Sequence, residues 1–144
     1  MTRVNSERGT ALLEVAMTLP VLLLVTVGIM EFGRAYQTQQ VLTNAAREGA
    51  RVAILPVAPE GAVKARVASY LAAGQIGNPA SAQVTVSPTL ISMGGTSTTA
   101  GSKVTVTYPY TFMVLRPVAR LVVRESNVGG NFTMTATAEM RNEQ

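Results

Sequence analysis

From Thr10 to Met30 the chain carries a single charge, Glu14, in a run that is otherwise apolar or hydroxylated. A helix over these residues reaches roughly 30 Å at about 1.5 Å per residue, the thickness of a bilayer's hydrocarbon core. The run therefore predicts a membrane-spanning helix over 10–30. A secretory signal has a shorter apolar core and a small-x-small cleavage site after it. Here Glu31-Phe32-Gly33-Arg34 follows instead, then more helix-compatible sequence. Arg3 and Arg8 precede the run, and Arg34, Arg47 and Arg51 compete weakly from its far side. The positive-inside rule then puts the N-terminus in the cytoplasm and the rest of the chain outside.

The residue inventory narrows what that outer part can do. There is no Cys and no His, and all 8 acids are Glu. Thiol chemistry, disulfides and the commonest general base and metal ligand are thereby absent. The acids after Met30 are scattered, with no pair that suggests an acid/base dyad, so no enzyme, cofactor or metal site is expected. The net charge of +4 comes from dispersed Arg rather than a dense basic patch, which argues against nucleic acid as a partner.

Beyond the membrane the helical pattern persists. No Pro occurs between Glu31 and Leu55, and Pro56 and Pro59 end the helix at about Leu55. Pro20 predicts a kink within the membrane part. Ala45, Gly49 and Ala53 recur four apart, as do Ala46 and Ala50. They give a smooth face that another helix or a sheet can approach closely. The chain's own domain is the plainer occupant. A second helix is predicted over Glu60–Ala73, with Pro59 and Glu60 at its start and Gly74 at its end.

The period then changes to two. Val84 and Val86 alternate with Thr85 and Ser87. Even-numbered apolar residues alternate with mostly Thr from Val104 to Phe112, and again from Phe132 to Met140. This predicts a small antiparallel sheet of about three to four strands with one face covered and one Thr-rich face wet. Pro109 suggests an edge or a bulge, and Ser87–Ser102, rich in Gly, Ser and Thr, reads as a mobile hairpin loop. Arg116, Arg120 and Arg124 would form one stripe of a short helix. The predicted class is α+β. Its parts are a leader at 1–9, a long helix at 10–55 and an extracytoplasmic domain at 56–144.

Gly9 and Glu14 give the anchor its character. Gly9 sits where the charged leader meets the apolar helix. With Thr10 counted as the first mature residue, Glu14 is the fifth. Gly before an apolar helix with an acid at that offset is what prepilin peptidases process. Cleavage between Gly9 and Thr10 frees an α-amino group, which needs a negative partner inside a bundle of such helices. A carboxylate at Glu14 is likewise costly in lipid without a partner. Glu14 can pair with a neighbour's amino terminus and so set the register between subunits. Alone, it would read as a carboxylate that snorkels to the headgroups.

These residues carry a family resemblance. Arg8-Gly9-Thr10-Ala11-Leu12-Leu13-Glu14-Val15-Ala16, Leu19-Pro20, Gly28-Ile29-Met30-Glu31-Phe32-Gly33-Arg34 and Asn44-Ala45-Ala46-Arg47-Glu48-Gly49-Ala50-Arg51 together resemble the TadE-like family of the Tad (Flp) tight-adherence pilus system. The closing Ala136–Glu143 is similar to that family's last strand. The resemblance implies a minor pilin or pseudopilin acting in pilus assembly and surface adherence. It would be processed by a prepilin peptidase, held as a single-pass protein in the inner (cytoplasmic) membrane, and extracted by an inner-membrane pilus assembly platform. Its partners would be other pilin and pseudopilin subunits and membrane lipid. The alternative is a membrane-anchored extracytoplasmic binding module that is never built into a pilus.

Overall fold

The structure, a computed structural model, describes residues 4–56, 59, 61–94, 97–117 and 130–142, with side chains in the first helix from Gly9 onward. Helix α1 is Val4–Ala53 and helix α2 is Ala62–Ala73. A short 3-10 turn at Pro79–Ser81 leads into strands β1, Gln83–Ser92, β2, Thr98–Tyr110, and β3, Phe132–Arg141. The architecture is the expected α+β one, with a three-stranded antiparallel sheet in the order β1-β2-β3. The chain divides into two compact units. One is α1 up to Arg34 with the segment that begins at Phe112. The other runs from Ala35 to Thr111 and resumes at Asn131.

In the second unit the apolar spacing of α1 dictates its packing. Ala35, Thr38, Leu42, Ala45, Ala46, Gly49 and Ala50 are buried, at the three- and four-residue spacing of one helix face. At Gly49 this face lies against Val67 of α2 and Val104 of β2, and Val67 and Leu71 of α2 are themselves buried. Val104, Val106, Tyr108 and Tyr110 of β2 are buried, as are Met134 and Ala136 of β3. The register sets like against like: Val106 opposite Ala136, Tyr108 opposite Met134 and Tyr110 opposite Phe132. The odd-numbered Thr133, Thr135 and Thr137 are exposed, as the alternation requires. On that face the hydroxyls of Thr105 and Thr137 hydrogen-bond across the ladder at 3.4 Å.

Several boundaries differ from the sequence expectation, each for a local reason. Helix α1 begins at Val4, inside the stretch read as a leader, and ends at Ala53 rather than Leu55. The residue before a proline disfavours helix, and Leu55 precedes Pro56. Helix α2 begins at Ala62, because Gly61 adopts a left-handed φ of 80° and interrupts the chain there. Glu60, expected in its first turn, lies outside the described residues. At the other end the left-handed residue is Gln75, with φ 54°, and Gly74 has an ordinary φ. Gly74 is small for another reason: a Cβ there would collide with the side chain of Val41 on α1.

The stretch Ser87–Ser102 is not a loop. Strands β1 and β2 stay paired to Ser92 opposite Thr98, which leaves only a short connection at 93–97. Thr is β-branched and suits a strand whether or not it is buried. Gly101 is buried beneath Ile91, and a Cβ on it would lie 2.8 Å from the Met140 carbonyl oxygen. The covered parity of β1 also shifts, from Val84 to Ser87, Thr89 and Ile91, and this breaks the even-numbered pattern on which a sequence reading relies. Pro109 lies in the central strand. However, β1 begins only at Gln83, opposite Thr107, so at Pro109 the sheet is locally an edge. Arg116 is exposed in a helical turn at 115–117, while Arg120 and Arg124 lie outside the described residues.

Candidate functional site

The first unit presents α1 with its apolar side chains uncovered. Leu12, Met17, Leu22 and Ile29 are 72%, 72%, 65% and 70% exposed. The most apolar window of the helix has a mean hydropathy of 2.3, and none of it is buried within the chain. A helix this apolar on every side needs lipid or other apolar helices around it. By length and composition it can cross a membrane.

Gly9, Thr10 and Glu14 lie on this uncovered part, all exposed. Gly9 has helical geometry, no positive φ, and open space where a Cβ would be. Glycine within a helix costs about 1 kcal/mol relative to alanine, and neither packing nor backbone strain within the chain accounts for it. Thr18 donates its hydroxyl to the Glu14 carbonyl oxygen at 2.9 Å. The Glu14 carboxylate itself has no hydrogen bond or ion pair among the described residues.

The small-residue face has an occupant inside the chain. Ala45 is fully buried. A Cβ on Gly49 would lie 2.7 Å from Val67 Cγ2 of α2 and 3.2 Å from Val104 Cγ1 of β2. Ala53 accepts a hydrogen bond at its carbonyl oxygen from the Ser102 hydroxyl at 3.4 Å. The charged residues beside this face tie the two helices together: Glu48 pairs with Arg51 at 3.1 Å and with Arg66 of α2 at 2.9 Å. Arg47 is exposed.

Glu31 was given no role by the sequence, yet it is the most constrained acid in the described chain. It is 5% exposed. Its Oε2 accepts the backbone N–H of Met113 and its Oε1 that of Val114, each at 3.1 Å. Arg34, one turn on, donates to Oε2 at 3.3 Å. Next to it the rings of Phe32 and Phe112 meet edge to face, 6.2 Å between centroids. The one signal in the sequence is position: Glu31 is the first charge after the uncharged run Val15–Met30. Apart from Arg34, its partners lie more than eighty residues away, and they are backbone groups, which leave no residue pattern.

Among the described residues no cluster of acids could hold a metal ion.

Residues 9–51 match the model of a family described as TadE-like protein. The matched stretch is nearly the whole of α1, from Gly9 through Glu14 and Glu31 to the buried face at Ala45 and Gly49. No curated protein and no solved structure matches the chain.

Proposed function

We propose that this chain, whose residues 9–51 match the TadE-like model, belongs to the Tad pilus system as a minor pilin or pseudopilin acting in pilus assembly. It is held in the inner membrane by α1, with its N-terminus in the cytoplasm and its sheet-bearing unit outside. A prepilin peptidase removes the leader between Gly9 and Thr10. The freed Thr10 amino group of one subunit pairs with Glu14 of the next, and the platform that builds the pilus draws the helix out of lipid into a bundle. The protein acts by contact and catalyses nothing.

The observation that carries this reading is the pairing of Gly9 with Glu14. Gly9 has no packing or backbone reason to be glycine. Glu14 places a carboxylate with no partner among the described residues on an uncovered apolar helix. Both are costs within the chain alone, and both are relieved by processing and by assembly. A tethered binding module needs neither residue. The test is the mass of the N-terminal peptide of protein recovered from its native membrane. A terminus at Thr10 is the expected result. A chain that retains its leader contradicts processing and favours the tether.

A further inference from the structure

We propose that the segment Phe112–Pro117 is a second membrane contact, docked by Glu31 so that Met113 and Val114 enter the outer interface of the bilayer. The inference rests on the span at Thr10–Met30 and goes beyond it. A span that starts at Thr10 uses up roughly 30 Å of hydrocarbon by Met30, at about 1.5 Å per residue. Glu31 then falls at the far boundary. There it is nine-tenths or more buried, and both of its oxygens are taken by consecutive backbone N–H groups of Met113 and Val114.

That arrangement suits lipid and has little reason to exist in water. At an exposed site the two N–H groups could be solvated and the carboxylate hydrated. Where water is scarce, each must find a partner inside the protein. Arg34 completes the set by offsetting the carboxylate's charge. With its backbone satisfied, the segment turns its apolar side chains outward. Met113 is 70% exposed and Val114 44% exposed, at the level of α1 where Met30 and Phe32 are 71% and 65% exposed. The apolar surface of the span thus continues from the helix onto the segment. Arg116, exposed on the following turn, is placed for lipid phosphate, as cationic residues are on interfacial elements. A bilayer is the occupant that this continuity selects; a neighbouring subunit's helix is the competing outcome.

The chain has no Trp, so one introduced Trp is an unambiguous reporter. The full chain is placed in vesicles of phosphatidylcholine and phosphatidylglycerol that carry a spin label either near the headgroup or near the end of the acyl chain. Met113→Trp is expected to emit to the blue of a Thr133→Trp reference on the hydroxylated sheet face, and to be quenched more by the shallow label than by the deep one. Leu22→Trp reports the span and is expected to be quenched most by the deep label. Adding Glu31→Ala to Met113→Trp is expected to remove the shallow quenching, while the same change leaves the Leu22→Trp signal unaltered. Emission from Met113→Trp like that of the Thr133→Trp reference, with Leu22→Trp still quenched, overturns the second contact and leaves the span intact. Shallow quenching that survives Glu31→Ala overturns the docking role of Glu31. Loss of deep quenching in Leu22→Trp overturns the span, and the inference with it. Blue-shifted Met113→Trp emission that neither label quenches, and that appears only when vesicles are crowded with protein, assigns the segment to a neighbouring subunit and overturns the lipid assignment.

Discussion

Gly49 of α1 faces Val67 of α2 so closely that a Cβ on the glycine would lie 2.7 Å from the valine's Cγ2. Valine has one stiff side-chain torsion and gives way poorly, and Val104 closes the other side at 3.2 Å. Gly49→Ala therefore trades a helix-propensity gain of about 1 kcal/mol against overpacking of about 1–3 kcal/mol. A net loss of stability is expected, and a larger one for Gly49→Val. Gly33 is the control, with open space around it. Gly33→Ala should gain roughly 0.5–1 kcal/mol. Thermal unfolding in detergent reads both; a stabilised Gly49→Ala would mean that the helices sit further apart.

The sheet makes a second prediction. Tyr110 is 4% exposed and meets Phe132 edge to face, 5.6 Å between ring centroids. Tyr110→Asp would bury a charge without a partner and should destabilise by about 3–5 kcal/mol. Thr133→Asp, on the exposed face, should cost about 1 kcal/mol or less. Comparable losses from the two in denaturant titrations would put the covered face on the wrong side.

Much of this fold was legible because it follows from two periods. The apolar run to Met30 gives a helix long and apolar enough to cross a membrane. The three- and four-residue spacing after it gives the buried face at Ala45 and Gly49. The even-numbered apolar residues from Val104 and from Phe132 give two strands and their covered side. What was not legible depends on contacts between distant residues. Composition made Ser87–Ser102 a loop, whereas pairing with β2 and the close approach at Gly101 make it strand. The docking of Glu31 onto Met113 and Val114 uses backbone groups, which have no sequence signature. Gly74 ends α2 as its sequence position suggests, and it also clears space for Val41, a contact with no local signature.

The longer hairpin is directly testable. Amide exchange of the full chain in detergent should show Thr89 and Ile91 protected along with Thr99 and Gly101, the residues that face one another across the β1–β2 ladder. Gly101→Val should destabilise by about 1–3 kcal/mol, since its side chain would press on the Met140 carbonyl and the Ile91 side chain. Unprotected amides at Thr89 and Ile91 would restore the loop.

In the proposed function Glu14 serves assembly and not anchoring. A lone carboxylate in the apolar run opposes insertion by about 1–3 kcal/mol, depending on depth. Its removal should leave insertion intact or improved. The decisive measurement is Glu14→Ala, expressed in cells that lack the native copy, with membrane fractionation, leader removal and surface pili scored on the same culture. The account predicts a variant that is inserted and cleaved at Thr10 but fails to enter pili or to support their formation. Normal piliation by that variant would contradict it and leave α1 as a tether.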